Sequence, residues 1–200
     1  MQDMQQKKPA LHCQAHRMTI DHDKPQLAAY PRRQPTTWWL TGLSGAGKTT
    51  LAQALAQVLR SRGEATCVID GDELRAGLCI DLGFDATSRA ENVRRAAHMA
   101  RLLNANGVHA VVALISPAAA ARREACATIG LDRCLEIHVS TPLAVCEQRD
   151  VKGLYAQARA AQLTQMTGVH SAYEPPENPA LRIDTSTITV HAAVHRLLNA

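Results

Sequence analysis

Residues 38–51, with the sequence WWLTGLSGAGKTTL, contain the pattern Gly-x-x-x-x-Gly-Lys-Thr starting at Gly42. An apolar run precedes this pattern and a helical pattern follows it, which is the context in which it forms a phosphate-binding loop, or P-loop. Glycines let the backbone fold inward, so that successive N–H groups and a helix N-terminus face a polyphosphate. The residues predicted to bind it are Gly42, Leu43, Ser44, Gly45, Ala46, Gly47, Lys48, Thr49 and Thr50.

Two side chains of the P-loop have a predicted chemical role. Lys48 would place a positive charge at the β- and γ-phosphates, and the Thr49 hydroxyl would hold Mg²⁺. A Gly-rich turn with a purely structural role is the alternative, but the strand and helix patterns on either side argue against it. We therefore predict ATP and Mg²⁺ as the cofactors.

The composition indicates a single domain. The 200-residue chain is 46% hydrophobic, enough for one well-buried core but too little for two ordinary domains. Its net charge of +4 includes no basic run, so an anionic small molecule is a better candidate ligand than nucleic acid. The six cysteines form no CxxC pair, which indicates buried thiols in a reducing compartment and not a metal site. No stretch resembles a membrane span or a signal peptide, so we expect a cytoplasmic protein.

Strand patterns alternate with helical patterns along the chain. The strand patterns are residues 38–40, 65–69, 108–115, 135–139 and 183–185. Helical patterns follow the first four strands, and a last one covers residues 190–198. Because the P-loop follows the first core strand, the alternation predicts an α/β fold with right-handed crossovers. We expect a three-layer α/β/α sandwich with a central parallel sheet, of the P-loop NTPase or kinase type.

Several helix starts are predicted from capping residues. Ser88 and Glu91 form a capping box. Ser116 and Thr141 each precede a proline, so both are expected to be N-caps followed by the first helical residue.

Asp70 and Asp72 lie just past the end of the second strand pattern. In an open parallel sheet that edge is where ligands bind, although one of the two carboxylates could also cap the helix that follows.

The two ends of the chain differ in character. Residues 1–35 have little periodicity and are expected to be a partly flexible extension, with residues 36–200 forming the P-loop domain. The histidines of the extension share no helix face and are expected to be solvated. Residues 152–179 combine an Ala-rich helix with a Pro-rich loop, which is typical of a mobile lid. His109, inside an apolar run, is expected to be a structural histidine.

From about residue 37 onward the chain resembles the adenylylsulfate kinases, which phosphorylate the ribose 3′-hydroxyl of adenosine 5′-phosphosulfate (APS). The P-loop alone indicates only an NTPase, whereas the other motifs and their order are specific to that family. The motifs are GLSGAGKTT at 42–50, DGDELR at 70–75, GLCIDLGF at 77–84, RAENVRR at 89–95, ISP at 115–117, CEQRDVKGLY at 146–155 and TGVHSAYEPPENP at 167–179.

The resemblance implies an activity, the transfer of the γ-phosphate of ATP to APS to give 3′-phosphoadenosine 5′-phosphosulfate (PAPS) and ADP in sulfate assimilation. Asp72 would orient or deprotonate the hydroxyl, Phe84 would stack on the APS adenine, and Lys152 would lie in the lid near the phosphates. Arg149 would help to bind ATP. The residues implied to bind APS are Asp70, Arg75, Phe84, Arg89, Asn92, Ile115, Ser116, Lys152 and Met166.

Ser116 has two interpretations. The family resemblance implies a possible phosphoserine intermediate, whereas a hydroxyl at an N-cap is also an ordinary structural choice. Direct in-line transfer is favoured, because a positioned acceptor hydroxyl makes a second transfer unnecessary.

Four residues depart from the family pattern. Met166 stands where an aromatic residue would cover the second face of the adenine, and a thioether covers less area. Glu73, Leu114 and His170 replace the usual Asn, Phe and Asp.

Two other functions are compatible with the sequence. One is a P-loop kinase for another small alcohol or nucleotide. The other is a non-catalytic nucleotide-binding subunit of a sulfate-activation complex, although no substitution at Lys48, Thr49 or Asp72 suggests lost catalysis. The candidate protein partners are a second copy of this chain, in a homodimer, and an ATP sulfurylase.

Overall fold

The computed structural model describes residues 34–200, so most of the expected extension at 1–35, with its three histidines and Cys13, lies outside the described residues. Within that range the elements alternate as predicted. The strands are β1 (Thr37–Thr41), β2 (Thr66–Asp70), β3 (His109–Ala113), β4 (Cys134–Val139) and β5 (Leu181–Ile183). The helices are α1 (Lys48–Ser61), α2 (Gly71–Ala76), α3 (Ala86–Ala105), α4 (Ala119–Ile129), α5 (Leu143–Arg149), α6 (Leu154–Arg159) and α7 (Val190–Leu198).

The described strands form one parallel sheet in the order β2-β3-β1-β4-β5. Adjacent residues of β1 point to opposite faces, so Trp38 and Trp39 are both fully buried but in different layers. The Trp38 face packs with α1 and α7, and the Trp39 face packs with α3 and α4. The three-layer α/β/α sandwich is therefore confirmed.

Three predicted helix starts are wrong. Helix α3 begins at Ala86, because the Asp85 carboxylate accepts the Ser88 N–H at 2.9 Å and caps the helix earlier than the expected capping box. Helix α4 begins at Ala119, and Ser116 instead turns with φ 39°. Helix α5 is capped by Pro142 and not by Thr141, whose hydroxyl donates to the P-loop carbonyl of Ala46 at 3.1 Å.

The last strand ends earlier than predicted. Strand β5 covers Leu181–Ile183 because its ladder with β4 stops there, which leaves residues 184 and 185 in the loop beyond the carboxyl edge.

His109 is the first residue of β3 and is buried at the end of the sheet opposite its carboxyl edge, as expected for a structural histidine. Its Nδ1 accepts the Thr36 N–H at 3.0 Å, and its Nε2 lies 3.1 Å from a carboxylate oxygen of Glu64.

Cysteines in the described part of the chain form no disulfide, as expected. Cys79 and Cys146 are buried, whereas Cys67, Cys126 and Cys134 are partly exposed. Among residues 34–200, no cluster of three His, Cys, Asp or Glu side chains could hold a metal ion, and no helix is both long and apolar enough to cross a membrane.

Candidate active site

The P-loop follows β1 at the carboxyl edge of the sheet and is packed tightly against β4. Gly42 has φ 153°, and a Cβ there would lie 2.4 Å from the carbonyl oxygen of Val139. Gly45 and Gly47 have φ values of 73° and 98°, in the left-handed region that favours glycine. These glycines bring the loop around the N-terminus of α1, where unpaired N–H groups can bind a phosphate.

Lys48 is held inside this loop. Its side-chain Nζ donates to the carbonyl oxygens of Gly42 at 2.9 Å and Leu43 at 2.7 Å, and the residue is only 8% exposed. Burial lowers the pKa of the Lys48 ammonium to about 8, with Cys146 and Asp70 acting in the opposite direction. The lysine is therefore a desolvated cation, which a polyphosphate would stabilise.

Thr49 and Asp70 form an oxygen pair next to the P-loop. The Thr49 hydroxyl donates to Asp70 Oδ2 at 2.7 Å, and Asp70 Oδ1 accepts the Asp72 N–H at 2.9 Å. Asp70 is thus the N-cap of α2, as the capping alternative allowed. A hydroxyl beside a carboxylate suits Mg²⁺, which prefers oxygen ligands, so these residues fit the implied metal.

Arg149 and Thr185 support the loop from the other side. Arg149 Nη1 donates to the Thr185 hydroxyl at 2.8 Å and to the Gly45 carbonyl at 3.3 Å. Thr185 in turn donates to the Ala46 carbonyl at 2.9 Å. Thr185 is a residue that sequence reasoning left without a role, and its position at the carboxyl end of a predicted strand was the available signal.

Two cavities meet at this edge of the sheet. The larger, about 560 Å³, is lined by residues 44–51 except Ala46, by Arg149 and by residues in the N-terminal half of α7. The smaller, about 130 Å³, is lined by seven of the nine residues implied to bind APS, all except Asp70 and Met166. The residues that line both cavities are Ser44, Gly71, Asp72, Leu114, Ile115 and Lys152.

Two arginine guanidinium groups lie close to the exposed ring of Phe84 in the smaller cavity. The Arg75 guanidinium lies 4.3 Å from the ring centroid and that of Arg89 lies 5.7 Å from it. Arg89 also donates to the carbonyls of Phe84 at 2.7 Å and Gln165 at 2.6 Å. Burial lowers the pKa of both guanidinium groups.

Asn92 adds a buried polar group to the same cavity. The residue is 6% exposed, and its Oδ1 has no hydrogen-bond partner among the described residues. A buried amide oxygen without a partner is costly, so it is suited to a donor supplied by a ligand.

A third cavity, of about 420 Å³, adjoins the second one. Phe84, Arg89, Val93 and Pro117 line both of them. The remainder of its wall comes from α3, α4 and residues 164–174.

Asp72 and Lys152 face each other where the two main cavities meet. Lys152 Nζ donates to Asp72 Oδ2, and both side chains remain at least half exposed. A carboxylate and an ammonium group therefore stand at the point where the two cavities share a wall.

Ser116 and Met166 are placed differently from what the sequence suggested. The Ser116 hydroxyl is buried and accepts the Trp39 Nε1–H at 3.1 Å. Met166 is 5% exposed, belongs to the core cluster with Ala46 and Tyr155, and lines none of the three cavities. Met166 therefore does not line either cavity that Phe84 lines, contrary to the prediction.

Tyr155 is a second residue without a predicted role. Its phenolic oxygen donates to the Ser44 carbonyl of the P-loop at 2.9 Å. Asp150 accepts the N–H groups of Tyr155 at 3.0 Å and Ala156 at 2.9 Å, which fixes the start of α6. Both residues lie in the quoted CEQRDVKGLY motif, which was the signal for them.

A P-loop after the first strand of a parallel sheet, a buried lysine in it and a Thr–Asp oxygen pair define a P-loop phosphotransferase. The sequence model of the family described as Adenylylsulphate kinase matches residues 34–184. The chain therefore belongs to the adenylylsulfate kinase family, and the resemblance drawn from its motifs is confirmed.

Individual relatives agree with this assignment. The chain is 44% identical over 182 residues to an adenylyl-sulfate kinase of Bacteroides fragilis, covering 91% of this chain and 89% of that protein. It matches the structure of the Mycobacterium tuberculosis APS kinase in complex with AMPPNP and APS with a TM-score of 0.79 and 41% identity, covering 83% of this chain and 96% of that one. It also matches a hexameric APS kinase from Thiobacillus denitrificans with a TM-score of 0.63 and 34% identity, covering 84% of this chain but 29% of that one.

Proposed function

We propose that this chain transfers the γ-phosphate of ATP to the ribose 3′-hydroxyl of APS and releases PAPS and ADP. One observation carries the proposal: the cavity formed by the P-loop and the cavity that contains Arg75, Arg89 and Asn92 share a wall that includes Asp72. In-line phosphoryl transfer needs its donor and acceptor at such a junction, since catalysis rests on positioning and charge stabilisation.

The larger cavity is the proposed ATP site. The P-loop N–H groups and Lys48 would bind the β- and γ-phosphates, and Arg149 would neutralise charge from the opposite side. Thr49 and Asp70 would hold Mg²⁺, which when bound neutralises charge on the phosphate oxygens. The 2.7 Å contact between these two side chains supports this role.

The smaller cavity is the proposed site for the phosphosulfate and ribose of APS. Arg75 and Arg89 supply two cations, and the partnerless Oδ1 of Asn92 supplies an acceptor for a ribose hydroxyl. Phe84, which is 53% exposed, offers a ring face toward the adjoining cavity of about 420 Å³, where the adenine would lie.

Asp72 is the proposed residue that orients the 3′-hydroxyl and accepts its proton. As the hydroxyl oxygen bonds to the γ-phosphorus, the bond from that phosphorus to the β,γ-bridging oxygen breaks, and ADP leaves with the electron pair. Lys152 contacts Asp72 and is well placed to stabilise the transferring group.

Ser116 has a positioning role in this scheme. Its hydroxyl is buried against Trp39, and its own donor contact, to the Leu114 carbonyl, is long at 3.5 Å. Among the described residues no carboxylate or imidazole forms a hydrogen bond with the hydroxyl, so no base is in place to make it a nucleophile. We therefore propose direct transfer, without a phosphoserine.

We also propose that this chain self-associates. The matched APS kinase from Thiobacillus denitrificans is described as hexameric, which supports self-association. An association with an ATP sulfurylase would supply APS directly. Free thiols at every described cysteine and the need for ATP support a cytoplasmic location.

The test is acceptor selectivity. The purified chain is incubated with ATP and Mg²⁺ and with APS, a nucleoside, shikimate or gluconate in turn, and the ADP released is measured. The proposal requires ADP release and a phosphorylated product with APS alone. Release with another alcohol but not with APS would reassign the chain to a different kinase, and binding of ATP without turnover of any acceptor would indicate a non-catalytic subunit.

A further inference from the structure

Arg122 is a buried cation outside the reaction cavities. It lies on α4, is 2% exposed, and lines none of the three cavities. Its Nε forms an ion pair with Glu136 Oε1 at 2.6 Å. Burying one charged pair in this way gives little net stability compared with apolar residues of similar volume, so its presence suggests another purpose.

The remaining donors of Arg122 bind the backbone of two separate segments. Nη1 donates to the carbonyl oxygens of Ser116 at 2.8 Å and Pro117 at 3.0 Å. Nη2 donates to the carbonyl oxygen of Glu174 at 2.7 Å, 52 residues away along the chain. One planar guanidinium group therefore joins two segments that approach each other only in the folded protein.

These segments are the walls of the proposed APS site. Ser116 and Pro117 line the smaller cavity, while Pro117 and Glu174 line the cavity of about 420 Å³. Glu174 also closes the gap directly, since its N–H donates to the Pro117 carbonyl at 3.0 Å and its carboxylate accepts the Ala119 N–H at 2.7 Å. Arg122 therefore forms hydrogen bonds with both walls without lining either cavity.

The segment held by Arg122 is conformationally strained. Ser116 is not glycine yet has φ 39°, a conformation that persists only when surrounding contacts require it. The Arg122 bond to the Ser116 carbonyl is one such contact, and the Thr41 hydroxyl donates to the Ile115 carbonyl at 2.7 Å. Tyr173 connects the two holders, because its hydroxyl lies 3.0 Å from that of Thr41 and its ring lies 5.7 Å from the Arg122 guanidinium.

We propose that Arg122 is a positioning residue for the acceptor nucleotide, which fixes the spacing between the wall at residues 116–118 and the wall at Glu174. The proposal rests on the proposed APS kinase activity. The ATP cavity shares Ile115 with this region but contains neither Ser116, Pro117 nor Glu174, so the effect of Arg122 is confined to the sulfated nucleotide.

The first test is Arg122→Lys, which keeps the charge but removes the planar set of donors. Steady-state ADP release is measured with APS varied and then with ATP varied. The KM for APS is expected to rise at least about tenfold, as expected for a displaced binding wall, while the KM for ATP stays within about twofold. The matched control is Arg123→Lys, because Arg123 is an exposed neighbour on the same helix and should leave both constants unchanged.

A second variant covers the case in which Arg122→Lys does not fold. The double substitution Arg122→Met with Glu136→Gln removes both charges together, which usually costs less stability than leaving one buried charge unpaired. Melting temperature is measured for every variant, together with Trp fluorescence on adding APS alone, since Trp39 donates to Ser116 and reports on that wall. The expected result is a folded protein with weakened APS binding and unchanged ATP binding.

Two results would overturn the proposal. Equal increases in both KM values would show general loosening of the domain, and a lower melting temperature with unchanged KM for APS would show a purely structural role for Arg122. Failure of the underlying activity is distinguishable from either, because the unmodified chain would then release no ADP with APS in the same assay.

Discussion

Removing the Lys48 side chain is expected to abolish turnover and, at neutral pH, to stabilise the protein. The structure buries the Lys48 ammonium and lowers its pKa from 10.5 to about 8. Folding at neutral pH therefore carries the cost of a desolvated charge, about 3 kcal/mol for a shift of this size. Lys48→Met keeps the apolar stem but removes that charge, so the variant should unfold at higher urea concentration than the unmodified protein at pH 7.

The pH dependence separates this effect from ordinary repacking. Between the folded pKa of about 8 and the unfolded value of 10.5, the unfolded chain retains the Lys48 proton that the folded chain has released. The stability of the unmodified protein relative to Lys48→Met should therefore rise with pH in this window, by about 2 kcal/mol between pH 7 and 9.5, and be lost again as pH falls through 8. Subtracting the variant cancels the titration of the tyrosines and of the thiols that do not interact with Lys48, whereas Cys146, which interacts with it, titrates differently in the two proteins.

Urea unfolding of both proteins at four pH values measures this difference, and single-turnover assays with ATP and APS measure the loss of catalysis. A difference in stability that does not change with pH would refute the assignment of a depressed pKa to Lys48. Retention of near-normal turnover by Lys48→Met would refute its role at the phosphates.

Three further outcomes are expected. Phe84→Ala should weaken APS binding by about 1–3 kcal/mol in calorimetric titration, as truncation of a stacking ring does, with ATP binding unchanged and only a small loss of stability because the ring is 53% exposed; a steep fall in melting temperature would mark it as a packing residue. Ser116→Ala should keep much of its activity and accumulate no phosphoprotein with labelled ATP, so a stoichiometric, chemically competent phosphoserine would contradict direct transfer. The Cys126 and Cys134 thiols lie 2.8 Å apart, and their hydrogen bond lowers the Cys126 pKa and raises that of Cys134, so iodoacetamide at pH 8 should modify Cys126 first, as peptide mass spectrometry would show. Modification of Cys134 before Cys126 would contradict these directions of the two pKa shifts.

Sequence reasoning recovered the architecture because the P-loop and the alternating strand and helix patterns depend on local chemistry. Helix starts were harder to predict, since several side chains compete to cap the same backbone groups. Asp85 caps α3 ahead of the expected Ser88, and the Ala119 N–H of α4 is capped by Glu174, which is 55 residues away and invisible to a local pattern. Ser116 does not cap a helix and instead lies in a strained turn.

The site residues followed the same division. Thr49 and Asp70 were predicted from motifs that sit at the ends of adjacent elements, and they form a hydrogen bond in the structure. Met166 was expected to face the adenine by analogy with its family position, but the lid turns its side chain into the core. Arg122 carried no motif signal at all, because its importance arises from two segments that the fold brings together.

The hydrogen bond from the Tyr155 hydroxyl to the Ser44 carbonyl joins helix α6, at the start of the predicted lid, to the P-loop. Outward movement of helix α6 would break that hydrogen bond, at a cost of about 1 kcal/mol, and would withdraw Lys152, two residues before the start of α6, from Asp72. Under the proposed function, we expect the lid to open when ADP is released, and we expect product release to be slower than the chemical step. A more viscous solvent should therefore lower the turnover rate, whereas a change of acceptor that leaves ADP binding unchanged should not.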